Sequence, residues 1–187
     1  MIIGISGCAR SGKDLFFKLL SNNLNPKFNL KRFAFADELK NDLSCLLKQN
    51  FNIDPLNPTP EEKELIRPLL VCYGTDIARK INENYWIQKI QPKIIENLKI
   101  KNNIAVLTDV RYVNEQLFVK NNFKKSININ IEREGFKPIN KEEERNNPIL
   151  KENSDYQIVW SDYNKNIPKH KSIIDEFIKY LILQIDE

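Results

Sequence analysis

Met1-Ile2-Ile3-Gly4-Ile5-Ser6-Gly7-Cys8-Ala9-Arg10-Ser11-Gly12-Lys13-Asp14-Leu15-Phe16-Phe17-Lys18-Leu19-Leu20 opens the chain. Ile2 to Ile5 is an apolar run of strand length, and Leu15, Phe16, Leu19 and Leu20 recur at helical spacing. Between them Gly7 to Lys13 spells Gly-x-x-x-x-Gly-Lys. Strand, glycine loop and helix in that order give a phosphate-binding loop its structural context. Gly7 and Gly12 permit backbone conformations closed to residues with a Cβ, so the loop can turn its N–H groups inward. The positive end of the following helix and the Lys13 ammonium then face the phosphates of a nucleotide. Asp14 stands where the common pattern has Ser or Thr. A hydroxyl there ligates magnesium; a carboxylate can do so directly or through water, but repels bare phosphate.

The whole chain narrows the possibilities. Its 187 residues suit one α/β domain better than two, and 41% hydrophobic residues is ordinary for a globular protein. Two of its five glycines lie in the phosphate loop. A net charge of +4 suits a protein that handles anionic small molecules and makes no case for nucleic acid. Cys8, Cys45 and Cys72 form neither a zinc pattern nor a disulfide framework, which suggests a reducing compartment. The single histidine, His170, excludes schemes that need several, and its lysine neighbours suggest a solvated residue. The chain shows no signal peptide and no apolar run long enough to span a membrane. A cytoplasmic protein is expected, in the host cytoplasm if the source is viral.

Along the chain, strands and helices alternate. Strands are expected at Ile2–Ile5, Arg32–Phe35, Ile104–Thr108, Ser126–Ile131 and Tyr156–Trp160. Thr59-Pro60-Glu61-Glu62 signals a helix start. Gly74-Thr75-Asp76 is expected to interrupt that helix, with Thr75 or Asp76 capping the next. The charged stretch from Glu132 to Asn153 reads as a mobile loop or short helical arm. Ile173 to Ile185 carries the stripe of an amphipathic helix. The alternation implies an α/β fold, a parallel sheet with helices on both faces. Ligands in such sheets sit beyond the carboxyl ends of the strands, where Gly7–Lys13, Asp37 and Asp109 are expected.

Asp109, closing an apolar strand, has the placement of a carboxylate that binds magnesium or a substrate group. Arg111 and Glu115 follow at spacings that suit the same cleft or a surface ion pair. Transfer between two phosphates needs cations on both sides. Lys13 serves the donor; Lys40, Arg67, Arg79 and Arg111 are candidates for the acceptor, and Arg133 and Arg145 lie in the charged arm. Tyr85 and Trp86 read as core aromatics or as a base-stacking pair.

These segments resemble a family. Ser6 to Asp14, with its Gly12-Lys13-Asp14 ending, looks like the phosphate loop of the deoxynucleoside monophosphate kinases of large bacteriophages and viruses. Phe35 to Lys40 resembles the segment after that family's second strand. Tyr73-Gly74-Thr75-Asp76, Arg79 and Tyr85-Trp86 are similar to its Gly-Thr-Asp motif and downstream Trp. Asp109 to Glu115 resembles its Asp-x-Arg-x-x-x-Glu signature, and Asn130 to Gly135 the strand entering its lid. The matches run in order over most of the chain.

The resemblance implies a nucleoside-monophosphate-kinase-like fold over residues 1–187. Its core would be about 1–36, 100–132 and 155–187, its helical substrate-binding region about 37–99 and its lid arm about 133–153. It implies transfer of the ATP γ-phosphate to a deoxynucleoside monophosphate with Mg2+. Gly7, Cys8, Ala9, Arg10, Ser11, Gly12, Lys13, Asp14 and Leu15 would hold ATP. Asp37, Lys40, Arg67, Gly74, Thr75, Asp76, Arg79, Trp86, Asp109, Arg111 and Glu115 would surround the acceptor. Lys13, Asp109, Arg111 and Arg133 would be catalytic, and Asp14 and Asp109 would serve the metal. The expected partners are these small molecules, with neither nucleic acid nor membrane; a homodimer is left open. Two departures stand out: Leu15 replaces a frequent hydroxyl residue, and Trp160-Ser161-Asp162-Tyr163 replaces an expected Asn-Asp-Gly turn near the adenine. A phosphomevalonate kinase of the animal type, another small-molecule kinase and a non-catalytic nucleotide-binding module are the competing readings.

Overall fold

The computed structural model of the chain describes residues 1–161 and 167–186. β1 (Ile2–Ser6) is buried along its whole length, as its unbroken apolar run requires of a strand covered on both faces. It pairs in parallel with β3 (Asn103–Val110) on one side and β4 (Ser126–Arg133) on the other. β2 (Asn29–Phe33) pairs with β3, and β5 (Tyr156–Trp160) with β4, giving a five-stranded parallel sheet in the order β2-β3-β1-β4-β5. Ser6, the last residue of β1, is in register with Val110 of β3 and Asn130 of β4. The chain therefore leaves β1 for the glycine loop beside the carboxyl ends of both neighbours.

Two compact units form, one of Met1–Phe33 with Ile94–Glu187 and one of Ala34–Lys93. In the first, α1 (Lys13–Asn23) and α7 (Ile167–Asp186) share one face of the sheet. Ile3, Ile5, Ile129, Ile131, Phe16 and Phe177 pack there, with Phe16 edge-on to Phe177 at 5.2 Å between ring centres. α5 (Val113–Asn121) and α6 (Lys141–Glu152) pack with β1 and β4. The alternating isoleucines of β4 point to the α1–α7 core, and the intervening Asn128 and Asn130 are buried as well. Asn130 Nδ2 donates to Ser6 Oγ (3.0 Å), whose own hydroxyl donates to the Ile129 carbonyl (3.0 Å). Polar groups buried this way need such partners.

The second unit is helical: α2 (Phe35–Phe51), α3 (Pro60–Val71), a π-helical segment Cys72–Arg79 and the start of α4 (Tyr85–Leu98). Leu43, Leu47, Ile53 and Ile66 form its core. The expected capping box is present: Thr59 Oγ1 accepts from Glu62 N (3.2 Å), and Glu62 Oε2 accepts from Thr59 N (2.8 Å). Asp42 gathers Lys89, Tyr73 (3.1 Å) and Tyr85 (3.4 Å).

Three sequence expectations change. Gly74-Thr75-Asp76 does not interrupt the helix; it lies within the widened Cys72–Arg79 turn that continues α3. Gly74 is buried there because a Cβ would stand 2.9 Å from Leu39 Cδ2, so the glycine serves close packing. The second strand is Asn29–Phe33, with Phe35 already opening α2; an edge strand needs its neighbour's ladder more than its own apolar run. Of the two readings of the charged stretch, the helical arm is the one present, as α6, capped by Asn140 and docked through Leu150. His170 is not solvated: it is 1% exposed, with a ring nitrogen 3.0 Å from the Ser161 carbonyl and its ring against Trp160. Asp162 and Tyr163, expected near an adenine, lie outside the described residues.

Trp160 ties the end of β5 to the glycine loop, its Nε1 donating to the Ser11 carbonyl at 2.8 Å. Trp160→Phe keeps most of the packing and leaves that buried carbonyl without its donor. Urea unfolding should show a loss of about 1–3 kcal/mol, and an unchanged midpoint would contradict the tie.

Candidate functional site

The loop after β1 is shaped by three left-handed residues: Gly7 (φ +134°), Arg10 (φ +63°) and Gly12 (φ +95°). A Cβ on Gly7 would lie 2.1 Å from the Ile131 carbonyl oxygen, and one on Gly12 would lie 2.8 Å from Trp160 Nε1. Both glycines are thus required by conformation and by space. Arg10 holds a left-handed conformation with a full side chain, the sort of local strain that concentrates at ligand sites. Ser11 N donates to Cys8 O (3.2 Å) and Phe16 N to Gly12 O (2.9 Å), closing the loop onto the first turn of α1.

Lys13 turns back over this loop. Its Nζ donates to the Gly7 and Cys8 carbonyls at 2.8 and 2.7 Å. Desolvation, followed by the Arg111 guanidinium, pushes its pKa down to about 8, while Glu143, Asp14 and Asp109 work in the other direction. A desolvated lysine with the half-exposed Arg111 guanidinium near it forms a site that favours an anion. Asp14 is exposed in the first turn of α1, and Leu15 is half-buried beside it. Asp109 is half-buried within β3, one residue before its end, so the strand runs past the position at which the sequence pattern closes it. Arg133 ends β4 with its guanidinium 4.2 Å from the centre of the Phe136 ring.

Glu115 departs from expectation. It is 3% exposed, and its carboxylate accepts from Arg111 N (2.8 Å) and Tyr112 N (3.1 Å). It caps the start of α5 and thereby fixes the backbone that carries Arg111, whose side chain lies near the carboxylate of Glu143. That carboxylate is the main residue the sequence reading missed. Glu143, on α6, is 9% exposed; its Oε1 accepts from Ala9 N in the glycine loop (3.1 Å) and lies 3.9 Å from Arg111 Nη1. Three consecutive glutamates at 142–144 hid it, because nothing in a charge run marks which member turns inward. Ser11 Oγ, within the loop, is buried without a hydrogen-bond partner.

Cys8 is buried, and burial together with Glu143 pushes its thiol pKa up, so it is a packed thiol and not a nucleophile. It borders a cavity of about 300 Å3 with Arg133, Phe136, Pro138, Asn147 and Val159 among its walls.

The remaining expected acceptor residues belong to the helical unit. Asp37 is in the first turn of α2, with Lys40 one turn on, both half-buried. Arg67 is exposed and pairs with Glu64 (3.7 Å), and Asp76 pairs with Lys80 (3.2 Å). Thr75 and Arg79 are half-buried in the π-helical segment. Trp86 presents no stacking face here: it is 4% exposed, edge-on to Tyr73 and Tyr85, and its Nε1 donates to the Gly74 carbonyl (3.1 Å). Its role in this structure is to hold the widened turn that carries Thr75.

No group of three or more metal-ligating side chains gathers among the described residues. Magnesium at a nucleotide keeps waters and shares phosphate oxygens, so one or two carboxylates suffice. Asp14 and Asp109, both of which act electrostatically on Lys13, fit that requirement.

No protein-family profile matches the chain, and no curated protein is similar to it. Solved structures that it resembles include TT1252 from Thermus thermophilus, at 15% identity, TM-score 0.44, and coverage of 94% of this chain and 97% of that one. Another is an unliganded sugar kinase from Janibacter sp. HTCC2649, at 8% identity, TM-score 0.47, and coverage of 99% and 94%. No helix among the described residues is long and apolar enough to cross a membrane.

The depressed Lys13 pKa has a measurable sign. A base whose pKa falls on folding loses its proton more readily in the folded chain, so between about pH 8 and 10.5 its contribution to stability rises with pH. Competitive acylation should find Lys13 half-deprotonated near pH 8, well below the surface lysines. A titration near their value would contradict its desolvation.

Proposed function

We propose that the chain transfers the γ-phosphate of ATP to a deoxynucleoside monophosphate, forming ADP and a deoxynucleoside diphosphate. The observation that carries this reading is the left-handed glycine loop between β1 and α1, with the desolvated Lys13 folded over it and Arg111 adding a second cation. In the reaction an oxygen of the acceptor phosphate bonds to the γ-phosphorus while the bond to the bridging oxygen of ADP breaks. The acceptor phosphate is already an anion at neutral pH, so no strong base is needed. What the protein supplies is position and charge.

The roles follow from residue chemistry. The Gly7–Lys13 backbone amides and Lys13 would hold the donor phosphates. Arg111, fixed through Glu115, would neutralise charge on the transferred group, and Arg133 would do so from the end of β4. Asp14 and Asp109 would hold magnesium, which when bound neutralises phosphate charge and aligns the nucleotide. Asp37, Lys40, Thr75 and Arg79 are the acceptor-side candidates; the family resemblance, not the loop, selects a deoxynucleotide. That resemblance also motivates the nucleotide-precursor role and a viral source.

Mixing protein, ATP and magnesium with each deoxynucleoside monophosphate in turn, and measuring ADP, tests the reading. Release of ADP with at least one of them is expected. Lys13→Ala and Asp109→Asn should each lower kcat by about 10²-fold or more while the chain stays folded. ADP with phosphomevalonate alone would replace the acceptor. No turnover with any acceptor, despite ATP binding, would leave a nucleotide-binding module.

A further inference from the structure

Glu143 occupies a place in the glycine loop that its own helix does not require. It has Glu142 and Glu144 as neighbours, both exposed, so the first turn of α6 already carries acidic side chains in water. Burying a carboxylate is costly unless hydrogen bonds and opposite charge compensate. Here the compensation comes from the phosphate-binding elements themselves. Ala9 N of the loop donates to Oε1 (3.1 Å), and Arg111 Nη1 stands 3.9 Å from the same oxygen. Oε2 faces the arm and accepts from Ile139 N (3.2 Å). The Glu143 amide is in turn held by the cap of α6, Asn140 Oδ1, at 2.8 Å. One anionic side chain thus joins a loop amide, a site arginine and the beginning of the arm helix.

We propose that Glu143 is a placeholder for phosphate: without nucleotide its carboxylate fills the anion position of the Gly7–Lys13 loop and latches α6 to it, and an incoming triphosphate must displace it. The inference rests on reading Gly7–Lys13 as the phosphate site. A triphosphate carries several negative charges and many oxygens against one carboxylate, so it wins the competition at a cost in apparent affinity. Displacement also breaks the link to Ile139 N and frees the Asn140 end of the arm. Nucleotide binding and release of the arm are then a single event. The cavity walled by Cys8 of the loop and Phe136, Pro138 and Asn147 of the arm lies along the line where they would part.

The test uses the full chain and sodium tripolyphosphate, a triphosphate without base or sugar, titrated calorimetrically alongside ATP with magnesium. Glu143→Gln removes the competing charge and should tighten binding of both probes about tenfold. Asn140→Ala leaves the carboxylate in place but loosens the arm's cap, and should tighten binding about threefold. It also keeps the idea falsifiable should Glu143→Gln misfold. Equal or weaker affinity in both folded variants, with wild-type binding intact, would overturn the placeholder while sparing the phosphate site. Failure of wild type and variants alike to bind either probe would overturn the phosphate site and the placeholder together.

Discussion

A desolvated lysine with an arginine beside it is the constraint around which the sheet unit is arranged. Lys13 is folded over carbonyls of its own loop, Arg111 lowers its proton affinity further, and the loop amide of Ala9 donates to the Glu143 carboxylate that lies beside Arg111. Such a pairing of cations is unfavourable unless an anion joins it. The chain meets that demand with Glu143, whose burial makes little sense apart from the loop it touches. The loop's shape, the depressed lysine and the inward carboxylate are therefore three views of one electrostatic fact.

The fold supplies the geometry for this with few devices. A central strand buried on both faces delivers Gly7 beside the ends of β3 and β4. The Ile131 carbonyl then leaves no room for a side chain on Gly7, and Trp160 leaves none on Gly12. Glu115 caps α5 through the amides of Arg111 and Tyr112, so the arginine leaves β3 on a fixed backbone. The apolar core under α1 and α7 fixes the helix that begins at Lys13. Each element that shapes the site is also an element that packs the sheet.

The sheet unit was largely legible because its signals are local. An apolar run, a glycine loop and a helical stripe lie within twenty residues, and Ile127, Ile129 and Ile131 alternate with a period of two. What could not be read depends on contacts distant in sequence. Trp160 meets Ser11, and Glu143 meets Ala9, across most of the chain. His170 looked solvated between two lysines, yet the ring of Trp160 and the Ser161 carbonyl enclose it. Gly74 looked like a helix breaker because propensity disfavours it mid-helix. The close approach of Leu39 and the Trp86 hydrogen bond to its carbonyl hold the widened turn instead. Glu115 stood out by its spacing from Arg111, but its bonds to the amides of Arg111 and Tyr112 are contacts that no pattern of side chains reveals.

The proposed phosphate site is open to direct observation. In a 15N-resolved NMR titration with ATP and magnesium, the amide signals of Ala9 through Lys13 should shift first and most, with Glu143 moving in step as it leaves Ala9. Binding of ATP that leaves those amides unmoved, with shifts confined to other parts of the chain, would contradict the assignment of the Gly7–Lys13 loop as the phosphate site.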